Sequence, residues 1–211
     1  MVRIYFILSI LSFAFCFSQK KIKVPHEPKV FDTYINRDFK PTAFNNHIKK
    51  FPFNKTSKIK LVSYNLDFKK EPIYTPPPIG DSIAIKNYEN RKFPVKLSDI
   101  LSDENLNGAQ QQKNLNLIEI KELSNIIFNE CGKYMMGLIS TSGCYFPRNA
   151  ILFYDEDDKI FGYLEICFQC GGFESDPKNL FDNDLVCDDI YNKLEKFFNK
   201  TGVKTQYKEE K

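Results

Sequence analysis

Five cysteines lie beyond residue 18 of this 211-residue chain, and sulfur is the one reactive chemistry that the sequence gathers in one place. Cys144, Cys167, Cys170 and Cys187 fall within a single stretch, with Cys131 just ahead of it. Cys167-Phe-Gln-Cys170, followed by Gly171-Gly172, has the form of a metal knuckle whose glycines free backbone N–H groups for the sulfurs. It also has the form of a thiol–disulfide couple, and its sulfurs could simply be cross-links. These three chemistries have different requirements. A four-cysteine metal site wants a second knuckle, which is missing, and an oxidising compartment works against zinc thiolates. Exchange wants an attacking thiol at a helix N-terminus, whereas this pair ends a strand and runs into two glycines. Cross-linking needs only proximity. The leading expectation is therefore a disulfide scaffold, with thiol redox or metal handling at Cys167 and Cys170 as the alternative. Odd parity leaves one cysteine free or bonded between chains. Met135-Met136 beside Cys131 adds soft sulfur for a Cu(I) variant, although two adjacent methionines ordinarily serve as filler.

Other catalytic groups are sparse. The two histidines, His26 and His47, both fall in an irregular N-terminal part, where a lone histidine is ordinarily solvated. A cysteine or serine hydrolase would need one of them folded back as base. Asp155 to Asp158 and Asp182-Asn183-Asp184 could hold calcium, but a hairpin turn and a helix cap explain them more simply. Glu165 is a lone acid in an apolar run. Arg148 is its expected ion-pair partner, and no second carboxylate stands at a fixed spacing for acid–base work.

The elements that must position these residues follow from hydrophobic period. Leu117, Ile120, Leu123, Ile127 and Phe128 predict a helix over about 117–131, capped by Asn116 and ended by Gly132. Ala150 to Tyr154 and Ile160 to Phe168 predict a β-hairpin over about 149–168, turning at the acidic run. Both of its strands are apolar on both faces, so the hairpin is expected to be central. With the turn centred near Asp157, facing residues have numbers summing to 313 or 314. That register places Cys144 across from Cys170, and Arg148 near residue 165 or 166. A last helix is expected over about 184–200. Its inner face of Val186, Ile190, Leu194, Phe197 and Phe198 would carry Cys187 towards Cys167. Lys58 to Tyr64 reads as a strand, Ser82 to Tyr88 as a second one, Ser102 to Lys113 as a loop, and Val203 to Tyr207 as an edge strand. The expected fold class is α+β, an antiparallel sheet around the central hairpin packed by two helices.

Residues 1–18 read as a signal peptide: Arg3, an apolar run from Ile4 to Phe17, and small residues before Gln19. Acylation at Cys16 is disfavoured by Phe15, and an uncleaved anchor is the competing reading. Residues 19–57, broken by Pro25, Pro28, Pro41 and Pro52, read as an extended irregular arm. Residues 58–211 read as a single domain with a cysteine-rich core at 131–187. No later stretch is apolar enough to span a bilayer, so the expected product is a soluble protein of the periplasm or the exterior. A net charge of +3, or +2 without Arg3, argues against a nucleic-acid partner. The lysines from Lys49 to Lys70 read as solvated surface, with an anionic membrane surface as the less simple alternative.

Cys144-Tyr-x-Pro-Arg-x-Ala-Ile-x-Phe-Tyr-Asp, then Ile166-Cys-Phe-x-Cys170, Cys187 and Phe197-Phe198-x-x-x-Gly202 resemble a group of exported proteins of flavobacteria and their relatives. The resemblance covers roughly residues 117–205. The group has no assigned activity, so no functional residue comes across. The resemblance implies that Cys144, Cys167, Cys170 and Cys187 act as one set, with Cys131 outside it as the unpaired thiol. The functional expectation is a non-enzymatic binding or envelope-associated protein that needs no cofactor. A protein partner, such as a toxin to be neutralised, would leave the same sequence.

Overall fold

The computed structural model describes residues 35–72, 75, 77–134, 145–181 and 187–207. Its organising element is a five-stranded antiparallel sheet in the order β2-β1-β3-β4-β5. The strands are β1 (Lys58–Ser63), β2 (Gln111–Asn114), β3 (Asn149–Tyr154), β4 (Ile160–Cys167) and β5 (Gly172–Asp176). All six residues of β3 are buried, as a strand with apolar side chains on both faces must be. Alternation sends Ile151 and Phe153 to one face with Ile59, Leu61, Leu164 and Ile166. It sends Ala150, Leu152 and Tyr154 to the other face with Val62 and Tyr64.

Helices cover the first face. α4 (Leu117–Asn129) begins at a capping box. The Asn116 side chain accepts from the N–H groups of Ile118 and Glu119, while Glu119 accepts from the Asn116 N–H. α5 (Asp188–Lys200) buries Ile190, Leu194, Phe197 and Phe198, and opens with Asp188 and Asp189, where the helix dipole favours acids. Both helices and the central hairpin were legible from period alone, and the α+β expectation holds. The second face is roofed by the short α3 (Leu97–Leu101), through Leu97 and Ile100, and by Leu106.

Several expectations are corrected. The arm does not run to residue 57. Ile35 bridges Tyr134, α1 (Phe44–His47) forms a helical turn, and Phe53–Lys55 form a 3-10 turn. Pro41 and Pro52 precede these turns rather than break them, a position that suits a residue with fixed φ and no N–H. Residues 33–211 form one compact unit; residues 1–18, read as a signal peptide, lie outside the described residues. Ser82 to Tyr88 is not a strand but most of α2 (Ser82–Glu89), because Asp81 Oδ1 accepts from the N–H groups of Ile83 and Ala84. The end of the stretch read as loop, Ser102 to Lys113, instead enters the edge strand β2; the polar side chains that suggested a loop also suit an exposed edge. Val203 to Tyr207 is not a strand. Gly202 turns the chain at φ 88°, and the Lys204 N–H and carbonyl are taken by Gln111 and Asn149 side chains.

The hairpin register is also shifted. Ala150 faces Glu165 and Ile151 faces Leu164, so paired numbers sum to one more than the upper expected value. Next to the turn Tyr154 faces Ile160, which keeps the expected sum of 314, so the extra residue enters at Phe161, as a bulge between the Tyr154 and Phe153 pairs. Asp155 Oδ1 accepts from the N–H groups of Asp157 and Lys159, and Asp158 takes a positive φ of 62°. The acids read as possible calcium ligands are thus committed to the turn, and Asp158 pairs with Lys58. Asp182 and Asp184 lie outside the described residues.

Candidate functional site

Among the described residues four cysteines form two disulfides, and neither is an expected one. Cys131 bonds to Cys187, with Cα atoms 5.4 Å apart, and Cys167 bonds to Cys170, with Cα atoms 5.2 Å apart. Cys131 is therefore not the unpaired thiol, and Cys187 does not meet Cys167. The reason is positional. Cys131 follows the end of α4 and Cys187 precedes α5, and both helices lie on the same face of the sheet. Strand β4 ends at Cys167, and residues 168–171 turn back, which returns Cys170 to Cys167 instead of carrying it to the opposite face. Cys144, and its expected approach to Cys170, lie outside the described residues. Sulfurs held in these bonds offer no thiolate to a metal, and Cys167 and Cys170 are both buried. Met135 and Met136 also lie outside the described residues.

His47 is buried rather than solvated. Ser124 Oγ, which donates to the Lys121 carbonyl, lies 3.1 Å from His47 Nδ1, and Thr42 Oγ1 lies 2.8 Å from His47 Nε2. Asn129 ties the same corner together, accepting from the Thr42 N–H and donating to the Thr42 carbonyl. The imidazole thereby braces α4 against the segment before α1. Burial, and secondarily Lys50, hold its pKa below the ordinary value. A depressed histidine pKa leaves the native state with fewer bound protons than the unfolded chain. Stability from this site is fully present above the unfolded pKa of about 6.5 and declines as pH falls through it towards the native value. Urea unfolding between pH 7.5 and 5 should show this loss, and His47→Gln should flatten it. An unchanged slope in that variant would assign the acid sensitivity elsewhere.

The cleft that unites chemistry with access opens on the other face of the sheet. Its volume is about 440 Å³. Strand alternation sets Tyr163 and Glu165 of β4 on this face, and the β4–β5 register places Glu174 directly opposite Glu165. Tyr64, just beyond β1, and Tyr145, just before β3, supply the adjoining rings. The far wall, Pro94 to Ser98, is clamped to the end of β1 by Asn65. Its amide donates to the Val95 carbonyl and accepts from the Val95 N–H, both at 2.9 Å.

Glu165 is the keystone of this cleft. Tyr64 Oη donates to its Oε1, and Tyr145 Oη lies 3.3 Å from its Oε2. Burial, the largest cause, raises its pKa above the ordinary carboxyl value; Glu174 pushes the same way, and the two tyrosine hydrogen bonds pull it back. Burial, with the Glu165 charge, in turn drives both tyrosine hydroxyls far upward, so they stay protonated and act as donors. Tyr64→Phe should cost about 1–3 kcal/mol, because it strips a buried carboxyl oxygen of its donor. The Glu165 pKa should also rise further, as read by the carboxyl carbon shift across a pH titration. A fall in that pKa would contradict the assigned hydrogen bond.

The expected Arg148–Glu165 ion pair does not form. The register shift moves Arg148 past Glu165, and its guanidinium donates instead to Gln169 Oε1 and to the carbonyls of Phe68 and Lys69. Sequence reading also missed Glu174 as a second carboxylate. A turn centred on the residues before Gly171-Gly172 would have paired it with Glu165, but the glycines were read only as the end of a strand. No family model, curated protein or solved structure matches the chain.

Proposed function

We propose that this is an exported binding protein, built on a disulfide-braced α+β scaffold, and that the cleft between β4, β5 and the 94–98 segment is its ligand site. The observation that carries this reading is the engagement of Glu165. Both of its oxygens face tyrosine hydroxyls, so the buried carboxyl fixes the rings of a recognition wall rather than standing free to move protons. The cleft is concave, walled by aromatic and apolar side chains, and carries a few convergent polar groups, as small-ligand sites do. Export is supported by the oxidised state of four cysteines and by the apolar leader with its small residues before Gln19. Among the described residues no helix is long and apolar enough to cross a membrane. A periplasmic or extracellular setting, and the resemblance to exported flavobacterial proteins, agree with this reading. The rival use of Cys167 and Cys170 in thiol redox is weakened by their burial.

The test is fragment mapping. The oxidised protein, labelled with ¹⁵N, would be screened against a library balanced in cationic, neutral and anionic fragments. Shifts should cluster on the backbone amides of Tyr64, Tyr145, Tyr163 and Glu165. Fragments that map elsewhere on the molecule, or nowhere, would overturn the assignment of this cleft.

A further inference from the structure

Resting on the cleft as the ligand site, we propose that the group it recognises is an organic ammonium ion, seated between the tyrosine rings and the Glu165–Glu174 pair.

The charge of the cleft runs against that of the chain. The protein as a whole is slightly basic, with 30 Lys and Arg against 27 Asp and Glu. The cleft is lined by Glu71, Glu165 and Glu174, with Lys96 as the one cation among its described lining residues. Glu165 and Glu174 are direct cross-strand partners on one face, an arrangement that like charges ordinarily make unfavourable. Among the described residues neither has a lysine or arginine within ion-pair distance, although such pairs form elsewhere on the molecule. A cation entering from solvent would supply what the fold does not.

The walls select the kind of cation. Among the described residues no three acidic, histidine or cysteine side chains converge on a point that could hold a metal ion. The carboxylates are instead spread around a space of about 440 Å³, which suits a charge carried on carbon. Tyr64 and Tyr145 donate their hydroxyl protons towards Glu165. This adds electron density to the rings; Tyr64 is fully buried and only holds the carboxylate, so of the two the half-buried Tyr145 is the one whose ring can meet an ammonium group. The elevated pKa of Glu165, set by burial and by Glu174, adds a proton linkage. A bound cation favours the ionised carboxyl, so binding should strengthen as pH rises and should release protons. The groups facing Glu165 that enter this linkage are Tyr64, Tyr145, Tyr163 and Glu174, with Glu71 and Lys96 on the cleft lining.

The test uses two cation–isostere pairs on the oxidised protein, with calorimetry and ¹⁵N shifts as readouts. The pairs are choline against 3,3-dimethylbutan-1-ol, and pentylammonium against pentan-1-ol. At least one cation should bind about tenfold more tightly than its neutral isostere. Its shifts should fall on Tyr145, Tyr163 and Glu165, and its affinity should fall in high salt. Glu174→Gln, at an exposed position, should weaken that cation several-fold with little effect on the isostere, and Tyr163→Leu is the second variant. Isosteres that bind as well as their cations, or cleft fragments that are neutral or anionic, would overturn the ammonium assignment while leaving the cleft as a site. Silence of the cleft to both cations would also overturn it. Silence to every fragment would bring down the binding-site reading as well.

Discussion

Replacing Cys131 and Cys187 together with alanine is expected to lower stability by about 4 kcal/mol, and the thermal midpoint by about 10 °C. The bond joins positions 56 residues apart, so it removes a large set of unfolded conformations. It also fixes the segment after α4 to the entry of α5, where the inner faces of both helices meet the sheet. Urea unfolding of the oxidised variant and of the oxidised parent would measure the difference. The matching change at Cys167 and Cys170 should cost less, about 2 kcal/mol or below, because that bond closes a loop of separation 3. A non-reducing peptide map should contain a Cys131–Cys187 linked pair. Equal stabilities for the parent and the Cys131/Cys187 variant would remove this bond from the account of the core.

Phe153→Ala is expected to cost about 3–5 kcal/mol. The Phe153 ring is fully buried on the helix-covered face and meets three other rings. Its centroid lies 5.9 Å from Phe53, 6.5 Å from Phe161 and 5.8 Å from Phe181, mostly in tilted or edge-on arrangements. Truncation leaves a void bordered by aromatic side chains that cannot all move into it. Phe153→Leu keeps more of the volume and should lose less. Denaturant midpoints for the two variants would order them, and a loss below about 1 kcal/mol in Phe153→Ala would show that the site can collapse.

What the sequence made legible followed the strength of the burial pattern. Helix α4 announced itself through its period and its Asn116 cap, α5 through Ile190, Leu194, Phe197 and Phe198, and the central hairpin through two apolar runs. Elements that bury little were misread. Edge strand β2 is Gln-Gln-Lys-Asn and reads as polar loop. Strand β5 hides behind Gly171 and Gly172, and α2 has no buried residue to give it a period. The cysteine partners were wrong because they depend on where two helix ends meet, which no spacing encodes, and on a turn that closes within four residues. His47 looked idle because two of its partners, Ser124 and Asn129, lie 77 and 82 residues away, on α4. The cleft was half visible. Glu165 stood out as an acid in an apolar strand, but its tyrosines and Glu174 arrive only through strand pairing.

The pairing of β1 with β3 has a consequence for the order in which this protein can form. Lys58 finds Tyr154, and Ser63 finds Asn149, across nearly half the length of the chain. A chain made from its N-terminus therefore carries Ile59, Leu61 and Val62 without their central partner until residues 149–154 have emerged. Most of the polypeptide is then already outside the ribosome and still lacks a core. Non-local pairing of this kind slows folding.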